Sequence, residues 1–345
     1  MTQTGAAASG PRRLLLVAGS GRSGTSVLAS TLQMLGAHIP GPEVLPDETN
    51  PKGFGESQWV VDFHDRLLRR SNVRVTDARP QAWFDAGRMS TLERVREELS
   101  TWLAEQYADD VREVVIKDPR LAWFLGLWRS AALRHGVEQS YVVMLRPPTE
   151  VVGSKQKYYN ATLGETGRMA SWVNAMLHTE RATRGGRRAF VHYHDLLDDW
   201  TRPVYALGER LGIESVRSAS ATKIRRVHDL IDPSLHRVRT TWDDLDVPKG
   251  LRELADETWE QLVVLADQDL ESPSLHASLD DLRARYTQYY EEAEAIAQSS
   301  VLAAARQKRK PTDGSKPDPA PVPPATGLSH RLRRAVRPRG RSDRR

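Results

Sequence analysis

Cysteine is absent from this 345-residue sequence, which excludes disulfides, cysteine nucleophiles and thiolate metal sites. No apolar run approaches the roughly 20 residues that a membrane-spanning helix needs. No internal repeat is present. Arg12-Arg13 followed by Leu14-Leu15-Leu16-Val17-Ala18 imitates a signal peptide. That apolar core is short for one and runs straight into a glycine-rich loop. It reads instead as a first strand, and a cytoplasmic protein is expected.

Positive charge is slightly outnumbered by negative in the body of the chain and crowded at its end. The whole chain carries +5; the 13 Lys/Arg and 3 Asp/Glu of Arg306–Arg345 give +10, leaving −5 for the residues before them. The high pI therefore says little about an active site. This tail is rich in Pro, Ala and Arg, and is expected to be disordered. Arg331 to Arg345 reads as a solubilising stretch, or as a weak contact for an anionic membrane surface. Nothing here argues for nucleic acid. Residues 1–11, small and polar, are expected to be disordered as well. One α/β domain over 12–304 is left, with 305–345 as a disordered basic tail.

What is present begins at Arg12. Leu14–Ala18 has the look of a buried strand, Gly19-Ser20-Gly21-Arg22-Ser23-Gly24 is a tight loop, and Val27, Leu28, Leu32 and Leu35 have helical spacing. Strand, glycine loop and helix together suit phosphate binding: glycines admit an anion to the backbone, and the helix start offers free N–H groups. The loop nearly fits G-x-x-x-x-G-K-[ST]. Gly19, Gly24 and Ser26 fit, but Thr25 stands where the lysine should be. That absence counts against an ordinary ATPase or GTPase. Arg22 is the cation at hand. A glycine turn with no ligand is the bland alternative.

Three further apolar runs read as strands: Val114–Ile116, Tyr141–Leu145 and Ala189–Tyr193. Ligands sit at the carboxyl ends of strands in an open parallel sheet. Lys117 and Arg120, in Lys117-Asp118-Pro119-Arg120, stand at such an end, with an Asp118–Arg120 salt bridge as the plainer reading. At the next end, Arg146 offers a planar fork for a phosphate and Ser154 a hydroxyl eight residues on; a structural ion pair is the plainer reading of Arg146.

Between these strands, Ile39–Gly55 reads as a loop, and Glu56 opens a helix to about Arg70, where a carboxylate in the first turn meets the helix dipole favourably. His64, in that helix, is a rival proton acceptor or a plain packing residue. Residues 71–91 read as irregular, with Trp83 and Phe84 lining a cleft or simply packing. Helices are expected over Leu92–Tyr107, Leu121–Leu133, Thr166–Thr183, Leu251–Leu265 and Leu279–Ala303. Lys155, Lys157, Tyr158 and Tyr159 read as a solvated helix face, with acceptor binding as the alternative.

Arg22-Ser23-Gly24-Thr25-Ser26 resembles the 5'-phosphosulfate loop of sulfotransferases that use PAPS (3'-phosphoadenosine 5'-phosphosulfate). Asn50-Pro51-Lys52-Gly53-Phe54-Gly55-Glu56 is similar to a stretch of bacterial members, and so is the Lys-Asp-Pro at 117–119. Arg146-Pro147 with Ser154 is similar to the 3'-phosphate motif. Tyr193-His194-Asp195-Leu196 resembles Tyr-Glu-Asp-Leu with His in place of Glu, and Leu211-Gly212 also matches. The resemblance covers roughly 13–212.

The resemblance implies a P-loop-type three-layer α/β sandwich with a mainly parallel sheet flanked by helices. Implied too is sulfuryl transfer from PAPS to a hydroxyl of a carbohydrate, glycolipid or small molecule, with no metal required. Glu56 is then the base, and Arg22 and Lys117 stabilise developing charge. Gly21, Arg22, Ser23, Gly24, Thr25 and Ser26 hold the 5'-phosphate, Arg146 and Ser154 the 3'-phosphate, and Tyr193 lies near the adenine or is a core aromatic. The late nucleotide-closing element of eukaryotic cytosolic members is absent; Arg225 and Arg226, before Asp232–Arg237, stand in its approximate place. The alternatives are a P-loop small-molecule kinase using ATP-Mg and a non-catalytic nucleotide-binding protein. Oligomeric state is not legible.

Overall fold

A computed structural model describes residues 10–108, 110–158, 163–231, 239–268 and 271–309. β1 (Arg13–Ala18) passes through the glycine turn into α1 (Thr25–Leu35). α2 (Gln58–Ser71), α3 (Ala82–Gly87) and α4 (Glu93–Glu105) lead to β2 (Glu113–Lys117). α5 (Leu125–Arg134), β3 (Glu138–Leu145), α6 (Pro148–Tyr158), α7 (Glu165–Thr183) and β4 (Arg187–His192) follow. The chain then runs through α8 (Tyr193–Asp198), α9 (Thr201–Leu211), α10 (Glu214–Arg217), α11 (Ala221–Leu230), α12 (Lys249–Asp267) and α13 (Pro273–Arg309). The chain divides at Ile296–Ala297, and every residue of the site described below lies in the first unit.

The four strands pair in parallel in the order β2-β1-β3-β4. Parallel neighbours need crossovers, so helices cover both faces and the strands are apolar on both. Leu14 and Leu16 face α2, α4 and α5, packing with Phe63, Leu99 and Trp128. Leu15 and Val17 face α1 and α9, packing with Leu28, Leu32 and Leu207. A third cluster joins Val143, Leu145 and Phe190 to α7, α12 and α13. This is the expected helix–sheet–helix sandwich. The chain leaves β1 toward β2 and returns to β3 on the other side. The crevice of such a sheet opens where the order reverses, between the ends of β1 and β3.

Several boundaries differ from expectation. Glu56 precedes α2, whose N-cap is Ser57, so it is not a first-turn residue. Its backbone is paired instead: Val44 N–H donates to Glu56 O at 2.8 Å. The helix expected at Leu121 is split. Pro119 starts a short 3₁₀ turn over Pro119–Trp123, Asp118 caps it by accepting from Arg120 N at 2.9 Å, and α5 starts at Leu125. The stretch 71–91 contains α3 and a 3₁₀ turn at Arg88–Thr91. Tyr193 opens α8 rather than ending β4. α13 extends to Arg309. The side chains of Lys157 and Tyr158, and all of Tyr159, Asp232–Arg237 and Arg331–Arg345, lie outside the described residues.

Leu16 is fully buried, with Ile116 and Tyr141 as its partners on the adjacent strands. Leu16→Ala should cost about 2–5 kcal/mol in a denaturant titration. A loss under about 1 kcal/mol would mean that β1 is not central to the core.

Candidate active site

The loop after β1 is shaped by three left-handed residues. Gly19 has φ +132°, and a Cβ there would lie 2.8 Å from Met144 O. Gly24 has φ +89°, and a Cβ there would lie 2.2 Å from the ring of Tyr193. Only glycine fits either place. Arg22, with φ +76°, holds the same region without being glycine, which is a strained conformation that its surroundings must maintain. Gly24 is the N-cap of α1, with no side chain capping the helix and no acid in its first turn, so its leading N–H groups are open to an anion. Ser23 Oγ is buried and makes no hydrogen bond.

The loop is locked to the end of β3. Arg22 Nε donates to Ser154 Oγ at 3.2 Å, and Arg22 Nη1 donates to Thr49 O at 3.3 Å. In return, Arg146 Nη1 donates to Arg22 O at 3.0 Å. Arg146 also pairs with Glu150 through Nε at 2.9 Å, and its guanidinium lies 4.6 Å from the Tyr193 ring centre. The ion pair read from sequence as the plainer role of Arg146 is thus present. So is the grouping of Arg22, Arg146, Ser154 and Tyr193, which line one pocket of about 180 Å³ with Gly24 and Ser26.

On the other side of Arg22 lies a cleft of about 540 Å³, reached by Gly21 and Thr25 of the loop and by Glu56 and Lys117. Lys117 Nζ donates to Ser26 Oγ at 3.1 Å and forms a short ion pair with Glu56. Both side chains are buried. Burial raises the Glu56 pKa; Lys117 opposes the rise and Asp118 adds to it, and the net shift is upward.

Two sequence candidates are placed elsewhere or are already engaged. His64 is fully buried. Trp128 Nε1 donates to its Nε2 at 3.0 Å, so Nδ1 carries the proton and donates to Asp118 Oδ2 at 2.8 Å. With both nitrogens engaged it is a core residue, not a base. Arg120 lines the cleft, but its charge is met by Asp118 at 2.9 Å and Asp65 at 2.5 Å. Trp83 and Phe84 line a separate hollow of about 450 Å³. Arg225 and Arg226 are exposed on α11.

Sequence reasoning missed other residues of the cleft. Lys155 is not on a solvated face: its Nζ donates to Ser20 Oγ at 3.1 Å and it lines the cleft. Burial, and then the nearby charge of Arg168, bring its pKa down to about 8. Arg168, Ser171 and Ala175 of α7 line the same cleft at helical spacing, as does Arg74. The available signal was Arg168 standing in line with apolar positions of α7.

The chain matches no family profile and no curated protein. Among solved structures, it is similar to a sulfotransferase domain from the curacin biosynthetic pathway, with 16% identity and a TM-score of 0.41 over 73% of this chain and 98% of that one. It is similar to a sulfotransferase domain from a Synechococcus olefin synthase, with 15% identity and a TM-score of 0.38 over 81% and 97%. It is also similar to a sulfotransferase from Mycobacterium tuberculosis, with 14% identity and a TM-score of 0.39 over 72% and 77%. Likenesses this distant leave the functional reading to the site itself. Among the described residues no helix is long and apolar enough to cross a membrane.

The Arg146–Glu150 pair has a consequence for acid stability. Burial pushes the Glu150 pKa up, but hydrogen bonds from His194 and Arg146 outweigh it and hold it at about 2, against an ordinary 4.5. A carboxylate depressed in the folded state contributes stability that is fully present above 4.5 and is lost as the pH falls toward 2. Glu150→Gln should therefore flatten the acid limb of the stability curve over that window, read as denaturant midpoints against pH. An unchanged limb would show that Glu150 is not held this way.

Proposed function

We propose that the protein is a PAPS-dependent sulfotransferase that moves a sulfuryl group to a hydroxyl of a carbohydrate, a glycolipid or a small molecule. The observation that carries this reading is the placing of Arg22. It stands between two cavities, with Ser154 and Arg146 on one side and the Lys117–Glu56 pair on the other. A donor with phosphate on the 3' oxygen and phosphosulfate on the 5' oxygen needs two adjacent anion sites of this kind.

The residues present suit such a donor. The uncapped start of α1 and the unpartnered Ser23 hydroxyl suit the 5'-phosphate, together with Gly21, Gly24, Thr25 and Ser26. Arg146 and Ser154 suit the 3'-phosphate, and Tyr193, stacked under Arg146, suits the nucleoside. Asp118, at the end of β2, is spent on His64 and Arg120 rather than open to the cleft, which speaks against the ATP-Mg kinase alternative.

The reaction follows from the charges. The acceptor oxygen attacks sulfur in line, forming the new S–O bond. The bond from sulfur to the oxygen of the 5'-phosphate breaks, and that oxygen keeps the electron pair. Lys117 and Arg22 stabilise the charge that gathers there, and Glu56 takes the acceptor proton. Its raised pKa suits a base working near neutral pH. Side-chain cations do the work that a metal does in a kinase, so the scheme requires none. The same reading puts the protein in the cytoplasm with its donor. The basic tail is at most a weak membrane-surface contact, and nucleic acid has no part.

Thermal shifts separate the readings. The desulfated donor, 3',5'-phosphoadenosine (PAP), should stabilise the protein, and ATP-Mg should do so less. Ser154→Ala should weaken PAP about tenfold, near 1.4 kcal/mol. Glu56→Gln should lower turnover of labelled PAPS by about 10²–10⁴ with PAP binding unchanged. Stabilisation by ATP-Mg and not by PAP would reverse the assignment.

A further inference from the structure

The cleft beside Glu56 is lined by six cationic side chains and one carboxylate. Three of the six cations are already engaged, and a fourth, Arg74, is exposed. Lys117 pairs with Glu56, Arg120 with Asp118 and Asp65, and Arg22 holds Ser154 and Thr49. Lys155 and Arg168 differ. Among the described residues Lys155 donates only to a hydroxyl, that of Ser20. Arg168 is 7% exposed, and among the described residues its guanidinium has no hydrogen bond and no ion pair.

A buried cation without a partner is expensive, since desolvation is not offset by any local attraction. Moreover, the charge of Arg168 acts on Lys155, so two like charges are held close in one wall of the cleft. Ser171, one turn along α7 from Arg168, lines the same wall. This wall lies apart from the pocket lined by Arg146, Ser154 and Tyr193. An anion entering the cleft would relieve the arrangement without either cation losing its charge.

We propose that Lys155 and Arg168 form an anion-binding subsite of the acceptor cleft, and that the acceptor carries a phosphate, sulfate or carboxylate group beside the hydroxyl it presents to Glu56. The inference rests on the sulfotransferase reading for the word acceptor, and on the cleft alone for the anion subsite. The anion adds a strong, directed contact at one end of the acceptor and so fixes which hydroxyl meets the base.

The test uses the full chain saturated with PAP. Thermal shifts are measured with low millimolar sodium phosphate, sulfate or acetate, each against chloride at the same ionic strength. At least one oxyanion should raise the melting temperature beyond the PAP-saturated value. Phosphate or sulfate acting without acetate assigns a dianionic acceptor, and acetate acting as well assigns a carboxylate.

Arg168→Met should weaken that half-saturation tenfold or more, leave the PAP shift unchanged, and not lower the melting temperature of the free protein, because the charge removed has no partner. Lys155→Met should weaken the oxyanion as well, and it serves as the readout if the first variant does not fold. An oxyanion shift that survives both substitutions overturns the proposal, and so does a PAP shift that falls with Arg168. If PAP has no effect on the wild type but the oxyanion shift still needs Arg168, the donor assignment fails and the anion subsite stands.

Discussion

The hydrogen bond from Arg146 to the backbone oxygen of Arg22 fixes the relation between the two strand ends on which the site is built. Arg22 holds a left-handed conformation that costs about 1–3 kcal/mol for a residue other than glycine. Contacts that maintain it include Arg146 on its carbonyl, and Ser154 and Thr49 on its guanidinium. In consequence, one residue turns its backbone toward the β3 side while its side chain reaches both cavities. This is possible because β1 and β3 are adjacent, although paired residues such as Arg13 and Glu138 are 125 positions apart in the chain.

Around that lock, each buried charge has a definite reason to be where it is. Asp118 is enclosed, but it accepts from His64, from the backbone of Arg120 and from its guanidinium. A carboxylate so fully satisfied can be buried without becoming protonated. It thereby fixes the turn that follows Lys117, and Lys117 is held on Ser26 and Glu56. Glu56 is satisfied less well: one strong partner, close confinement and a second carboxylate nearby leave its affinity for a proton raised. Two acids beside the same lysine, one next to it in the chain and one 61 residues away, therefore differ in kind: Asp118 stays ionised, and Glu56 has a raised affinity for a proton.

The strands, the loop and the Arg146–Ser154 spacing were legible because each is a local pattern. Apolar runs of buried strands, glycines at forced turns and residues two helical turns apart are written in consecutive positions. What was not legible depended on distant partners. Glu56 looked like the first turn of a helix, yet pairing of Val44 with Glu56 and of Gln58 with Pro42 holds that segment extended. His64 looked like a possible base, but its role is set by Asp118 and Trp128, far along the chain. Lys155 looked solvated, because no local pattern tells which face of α6 meets the loop after β1.

The two sides of Arg22 also differ in how they are made. On the side of the smaller pocket the contacts are backbone amides, glycines that cannot be enlarged, and side chains already bonded to one another. Such a surface changes little when a ligand arrives and can be kept without loss of stability. On the side of the larger cleft, Lys155 and Arg168 stand in the wall with no carboxylate partner among the described residues. Burying Arg168 so reduces stability, and burial of the three apolar clusters around the sheet opposes that loss. A cheap remedy exists, since one acid on a neighbouring helix would neutralise either cation. Its absence from the wall leaves the charge available to something that is not part of the chain. Under the proposed function, selectivity is therefore to be sought at α6 and α7, and the transfer step at the loop after β1.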